Sequence, residues 1–165
     1  RAVSISAENG VLVNVSTGRR SSLTSCRDAL NGYQKGKCFY CFQEISIVAN
    51  ALDLADIDHF HPRMLMQSSL SVQLDGVWNL VLACRDCNRG ADGKSSRLPE
   101  RKFLQRLDTR NEFLIASHHP LRETLMAQTG TNRDERIRFL NEVFTVAAES
   151  LIHRWKPRYE HETAF

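Results

Sequence analysis

Long apolar runs are missing from the 165-residue sequence. No stretch approaches the roughly 18 apolar residues that a membrane helix needs, and no segment has the basic start, apolar run and small-residue cleavage site of a signal peptide. Internal repeats and low-complexity segments are missing as well. These absences argue against membrane, secreted and repeat-protein classes, and they predict a cytoplasmic protein with no membrane partner.

The composition excludes further classes. The sequence is 42% hydrophobic and 25% charged, which fits a globular protein with a real core but not a disordered, collagenous or disulfide-stapled chain. The length suits one domain, or one domain with an appendage. The formal net charge of +3 says little about partners. Because the chain begins at Arg1 rather than Met, we expect it to belong to a longer protein with further domains.

The first half of the chain alternates short strand and helix patterns. A strand or extended arm is predicted around residues 11–15, and apolar residues near helical spacing predict a helix over residues 21–34. The short apolar runs at residues 45–49 and 80–83 are typical of strands.

Helical patterns fill the last third of the chain. The final pattern places apolar residues in steps of three or four from Ile137 to Trp155, and Asn132 with Glu135 three residues later resembles a capping box. We therefore expect a long helix that reaches Trp155, followed by a frayed tail from Arg158 onward.

Four of the five cysteines form two C-x2-C pairs, Cys38 with Cys41 and Cys84 with Cys87. Each pair places two thiolates on one turn, and four thiolates are a ligand set that a tetrahedral structural Zn2+ prefers. Without secretion, this spacing favours metal ligation over disulfides. The alternative is a set of unligated buried thiols. Cys26 has no partner and is expected to be a small buried hydrophobe.

The 42 residues between the two pairs carry the remaining chemistry. Asp58 and His59 are adjacent, so on a strand they project to opposite faces, where each side chain can serve a different chemical function. A carboxylate with an amide oxygen suits Mg2+, and an imidazole accepts a proton near neutral pH. Phosphodiester hydrolysis needs both functions, one to neutralise charge and one to activate water.

The cysteine pairs, Asp58-His59, Asn79 and Asn88 follow one another within the segments Cys-Phe-Tyr-Cys, Asp-His-Phe-x-Pro, Trp-Asn-Leu-Val and Cys-x2-Cys-Asn. Over about residues 24–99, this pattern resembles the HNH endonucleases, the zinc-stabilised members of the ββα-metal superfamily. The resemblance implies that Asp58 and Asn88 hold a catalytic Mg2+ or Mn2+ and that His59 is the general base. It also implies that Asn79 fixes the loop and the orientation of His59.

Basic residues are concentrated beside this motif. The segment from Cys84 to Arg110 carries eight basic and four acidic residues, a net charge of +4, and phosphate contacts from such residues give salt-dependent binding without sequence readout. HNH proteins of this type often carry Lys three residues after the helix Asn, where this chain has Ala91. For His61, the alternatives to a phosphate contact are a supporting role behind the site residues and a surface histidine before Pro62, and for the basic residues of segment 101–110 the alternative is a solvated helix face. The candidate DNA contacts are Arg85, Arg89, Lys94, Arg97 and His61.

The expected fold is α+β, with an N-terminal arm over residues 1–23, a zinc-stabilised ββα core over residues 24–99 and a C-terminal helical subdomain over residues 100–165. The resemblance implies a metal-dependent DNA endonuclease of the kind common in bacterial restriction and anti-phage nucleases, with a homodimer as one assembly that would cut both strands. The alternatives are a non-catalytic zinc-binding module that docks nucleic acid or protein, and an RNA nuclease.

Overall fold

The computed structural model describes residues 3–6, 11–14, 20–21, 23–67 and 70–165, with side chains from residue 27 onward. The side chain of Cys26 lies outside the described part, so its burial stays a prediction. The fold is mixed α+β. The strands in this part of the chain are β1 (Val3–Ser6), β2 (Val11–Asn14), β3 (Arg20–Ser21), β4 (Asp56–His59), β5 (Leu80–Ala83), β6 (Leu98–Pro99) and β7 (Arg154–Trp155), and the helices are α1 (Leu23–Gln34), α2 (Arg85–Arg89), α3 (Arg101–Ala116), α4 (Arg122–Thr129) and α5 (Arg133–Ser150).

The N-terminal strands form an antiparallel sheet in the order β1-β2-β3. The predicted strand is confirmed for residues 11–14, and Val15 lies outside the described residues. The predicted helix follows as α1. At the end of α1, the buried Gln34 side chain binds both backbone groups of Leu82, donating to its carbonyl at 2.8 Å and accepting from its N–H at 2.9 Å. This side chain joins α1 to β5.

The antiparallel pair β4 and β5 leads directly into the short helix α2. His59 at the end of β4 is paired with Leu80 at the start of β5. Every residue of β5 is fully buried, which explains why its sequence is a continuous apolar run rather than an alternating one. Cys84 caps α2, because its Sγ accepts a hydrogen bond from the backbone N–H of Cys87.

Residues 45–49 do not form the predicted strand. Ser46 makes an isolated parallel bridge to Leu54, while Phe42 and Asn50, on either side of the apolar run, have positive φ angles of 63° and 67°. These left-handed residues turn the chain near both ends of the run, and the segment is therefore a bridged loop.

The long helix α5 begins at the predicted cap, where Asn132 Oδ1 accepts from the backbone N–H of Glu135 at 3.0 Å. It ends at Ser150, so the prediction that it reaches Trp155 is wrong. Trp155 lies in β7, which pairs in parallel with β6, and its buried ring packs edge-on against Tyr40. Burial of this large ring favours the extended backbone. No described helix is both long and apolar enough to cross a membrane.

The C-terminal tail is packed, so the prediction of a frayed tail is wrong. The Phe165 ring lies 5.0 Å from Tyr33 and 4.9 Å from Phe42, measured between centroids. The backbone N–H of His161 donates to the carbonyl of Cys41 at 2.7 Å. The turn that carries the first cysteine pair thus provides both aromatic surface and a hydrogen-bond acceptor for the tail.

Two arginines of α3 donate hydrogen bonds to backbone carbonyls in other parts of the core. Arg110 is fully buried and donates to the carbonyl of Leu80 at 2.8 Å. Arg106 donates to the carbonyls of Phe39 at 2.5 Å and Tyr40 at 3.0 Å. The alternative of a solvated face is therefore wrong for these two arginines. One buried apolar cluster extends from α1 through β4 and β5 to the three C-terminal helices.

Candidate functional site

The two cysteine pairs come together as the sequence predicts. The four Sγ atoms of Cys38, Cys41, Cys84 and Cys87 lie within 4.8 Å of one another, and all four residues are buried. The Cys41 and Cys84 sulfurs are 3.7 Å apart, which is far beyond a disulfide bond of roughly 2.05 Å. Tetrahedral zinc with bonds of about 2.3 Å separates its sulfurs by about 3.8 Å. The cluster is therefore compatible with a structural Zn2+.

Local backbone groups support negative charge on these sulfurs. The backbone N–H of Cys84 donates to the Cys38 sulfur at 3.3 Å, and that of Cys87 donates to the Cys84 sulfur at 3.4 Å. Hydrogen bonding with Cys38 lowers the pKa of Cys41 and raises the pKa of Cys87. Such neighbouring thiols are not all ionised together unless a cation neutralises them, which is the role of a metal in a four-thiolate site.

His59 lies at the end of β4 with its side chain partly exposed. Its Nε2 is 2.8 Å from Oδ1 of Asp75, a buried residue in the loop between β4 and β5. The Nε of Arg63 also donates to Asp75 Oδ1, at 3.0 Å. An imidazole that is accessible and held by a carboxylate is a suitable proton acceptor.

Asp58 is buried and already bound by two side chains. The Tyr40 hydroxyl donates to its Oδ2 at 2.6 Å, and the Lys94 ammonium lies 3.2 Å from the same oxygen. Burial raises the pKa of Tyr40, and the Asp58 carboxylate raises it further. Burial lowers the pKa of Lys94, while the attraction to Asp58 opposes this shift. Lys94 is fully buried, so the expectation that it contacts DNA phosphate is wrong for this arrangement.

Asn79 fixes the loop, but its side chain holds His61 rather than His59. Asn79 Oδ1 accepts from the backbone N–H of His61 and from its Nδ1, both at 2.8 Å. Asn79 Nδ2 donates to the carbonyls of His61 and Leu74, at 3.0 Å and 2.9 Å. The hydrogen bonds of the Asn79 side chain thus hold the loop at His61 and Leu74, and none of them reaches the His59 ring.

His61 is wholly enclosed in the core. Its Nε2 has no hydrogen-bond partner among the described residues, and burial lowers its pKa to about 4. The burial of His61 excludes the surface histidine and leaves its ring no access to a phosphate at the surface, whereas its bond to Asn79 agrees with the expected supporting role.

Asn88, on α2, faces the first residue of β4. Its Nδ2 donates to Asp56 Oδ2 at 3.0 Å, and Arg89 Nε donates to the same oxygen at 2.8 Å. The predicted pair of Asp58 and Asn88 is thus not joined by a hydrogen bond, and Asp56 is the carboxylate in contact with Asn88. A carboxylate and an amide oxygen are hard ligands of the type that suits Mg2+.

The remaining candidate phosphate contacts lie at the surface around α2. Arg85 and Arg89 are exposed. Arg97 is also exposed, although its guanidinium donates to the carbonyls of Gly93 and Lys94. Asp75 and Tyr40 were not among the predicted site residues, because their partners lie 16 and 18 residues away along the chain. The Asp-Gly pair at residues 75–76 signals a turn, but not a contact with His59.

The geometry defines a mixed α+β protein with a buried four-cysteine cluster and a polar group of residues along β4. Comparisons of the chain with protein-family models, with curated proteins and with solved structures gave no match.

Proposed function

We propose that this chain is a metal-dependent DNA endonuclease domain of the HNH type, with His59 as the general base and a structural Zn2+ on the four cysteines. The observation that carries the proposal is the arrangement around β4. This strand ends in an accessible His59, pairs with β5, and meets Asn88 of α2 at its first residue, Asp56. Base and hard oxygen ligands therefore belong to one small unit.

In the proposed reaction, His59 removes a proton from water, and the water oxygen forms a bond to phosphorus. The bond from phosphorus to the 3′ oxygen breaks, and this oxygen takes a proton from solvent, which leaves a 3′-hydroxyl and a 5′-phosphate. Exposed arginines around α2, such as Arg85, would hold the DNA backbone through salt-dependent contacts. Nothing in these contacts reads bases.

A catalytic Mg2+ or Mn2+ would be held by Asp58 and Asn88, with Asp56 beside them. A carboxylate has about four lone-pair positions, so Asp58 retains positions beyond those used by Tyr40 and Lys94. Asn88 donates to Asp56 through Nδ2, which leaves its amide oxygen for a cation. The bound ion would neutralise charge on the phosphate and on the leaving oxygen.

The test is nicking of supercoiled plasmid by the zinc-loaded protein with Mg2+ or Mn2+. We expect the wild type to nick and His59→Ala to lose nicking while keeping its zinc and its fold. His153→Ala is the matched control, because His153 is exposed and lies just after α5. Equal nicking by wild type and His59→Ala would refute the base assignment. A parallel digestion of single-stranded RNA decides between the DNA and RNA substrates.

A non-catalytic zinc module is the second candidate, and the carboxylates of β4 favour it. Asp58 is satisfied by Tyr40 and Lys94, and Asp56 by Asn88 and Arg89. These polar side chains therefore need no divalent ion in order to be stable. A wild-type protein that binds DNA without nicking it in either metal would support this function over the nuclease.

A further inference from the structure

The bond between His59 Nε2 and Asp75 Oδ1 is the one hydrogen bond that the ring of the proposed base makes to a side chain in the described part of the chain. The Asp75 side chain is 7% exposed and that of His59 is 23% exposed. The carboxylate is therefore enclosed while the ring keeps an accessible portion. This difference in exposure suits a proton acceptor whose ring is held in place by a buried carboxylate.

The loop that carries Asp75 is held at several points. Gln73 Oε1 accepts from the Asp75 backbone N–H at 3.3 Å, and the Gln73 carbonyl accepts from the Trp78 indole N–H at 3.1 Å. Asn79 Nδ2 binds the carbonyl of Leu74, the residue before Asp75. A side chain at Gly76 would meet the Trp78 ring at 2.6 Å. The position of the Asp75 carboxylate is thus determined by the fold.

We infer that Asp75 is the positioning residue of His59, an inference that rests on the proposed nuclease function. An ionised carboxylate only accepts hydrogen bonds, so the bond to Asp75 requires the hydrogen of the neutral ring to lie on Nε2. The Nδ1 atom then keeps its lone pair and is the atom that takes the proton from water. Asp75 also stabilises the imidazolium that forms after this transfer.

This arrangement gives Asn79 an indirect role. The sequence resemblance implies that Asn79 orients His59, whereas its amide holds the backbone of Leu74 and His61 on either side of the contact. Asn79 thus acts on the base through the Asp75 loop. Arg63, which binds the same carboxylate, supports the negative charge of Asp75 but does not determine which ring nitrogen is protonated.

The experiment is nitrogen NMR of the histidine rings in the zinc-loaded protein at about pH 9, well above the roughly 6.5 of an ordinary imidazole pKa. A His59→Gln variant identifies the His59 signals. We expect the wild-type ring to carry its hydrogen on Nε2. In Asp75→Asn, we expect the Nδ1–H form to appear, because an amide donates as well as accepts. Arg63→Gln is the matched control and should retain the wild-type form.

Nicking kinetics provide the second measurement. We expect Asp75→Asn to lower kcat by about 100-fold or more with KM unchanged, because a positioned general base contributes typically about 10²- to 10⁴-fold, while zinc content and thermal unfolding stay close to wild type. A wild-type ring protonated on Nδ1, or an Asp75→Asn variant with the wild-type kcat, would overturn the inference. A wild type that nicks in neither metal would refute the proposed function instead, and the tautomer would still decide whether Asp75 holds His59.

Discussion

Asp58 and Lys94 form an ion pair inside the protein, with Lys94 fully buried and Tyr40 as a further partner of the carboxylate. Removing one partner of such a pair leaves an uncompensated buried charge, which is strongly destabilising. Substitution of Lys94 therefore tests folding as much as function. The accessible His59 and its partner Asp75 are better positions at which to separate the two.

His61 gives the fold a dependence on pH. Its pKa is lowered to about 4 in the folded protein, whereas an unfolded histidine titrates at roughly 6.5. Between these values the unfolded chain binds more protons, so stability is lost as the pH falls. We expect the free energy of unfolding of the wild type to drop about 2 kcal/mol more than that of His61→Gln between about pH 7 and pH 5.

The measurement is urea unfolding of both zinc-loaded proteins at the two pH values. Protonation of the zinc ligands affects both proteins equally. The difference between their changes in the free energy of unfolding therefore reports the protonation of the His61 ring. The same pH dependence in both would show that His61 does not stay neutral in the folded state.

Some site residues were predictable because their signal is local. The four residues of a C-x2-C motif are enough to indicate metal ligation, and the four cysteines do form the expected cluster. Burial of Lys94 and His61 was not predictable, because it depends on a carboxylate and an amide that lie 36 and 18 residues away. The contact between Asp75 and His59 has the same long-range origin.

Among the elements, α3 reaches the backbone beside the candidate site through Arg110. Arg110 donates to the carbonyls of Leu80, Val77 and Trp78, at distances of 2.8 to 3.3 Å. These carbonyls lie in the short helical turn and the first residue of β5 that follow the Asp75 loop. A single side chain of α3 therefore holds the backbone that follows the Asp75 loop of the candidate site.

We expect Arg110→Met to destabilise the protein by about 3 kcal/mol or more, because several buried carbonyls lose their donor. Urea unfolding measures the change. Arg138→Met, at an exposed position of α5, is the matched control and should change the free energy of unfolding by less than about 0.5 kcal/mol. A similar small effect in Arg110→Met would mean that these hydrogen bonds contribute little.

The elements themselves were predictable where a local pattern or cap exists. The run at residues 80–83 is the buried strand β5, and Asn132 caps α5. The end of α5 was not predictable, since Trp155 keeps helical spacing but leaves the helix to pack against Tyr40. The apolar run at residues 45–49 likewise fails as a strand because of the turns around it.

For the whole molecule, the cysteine cluster joins segments that are far apart in the chain. A metal on the four sulfurs closes the long insert, and its binding free energy becomes folding free energy. We expect Cys84→Ser, or extraction of the wild type with a chelator, to lower both the zinc content and the melting temperature. Metal analysis and thermal unfolding measure the two effects.

Cys26→Ser is the control for this prediction, since Cys26 is not part of either C-x2-C pair. It should keep its zinc whatever happens to its stability. Full zinc retention with unchanged melting in Cys84→Ser would refute the structural zinc site.

The two tryptophans lie in different regions of the protein, so their fluorescence can report on each region separately. Trp155 lines a cleft of about 320 Å³ together with Cys41, Cys84 and Cys87, while the Trp78 ring lies 5.5 Å from the His61 ring, measured between centroids, on the side of the candidate site. The sequence contains no other tryptophan. Each single-tryptophan variant would therefore emit from one region only, and its fluorescence would report changes at the cysteine cluster separately from changes in the Asp75 loop.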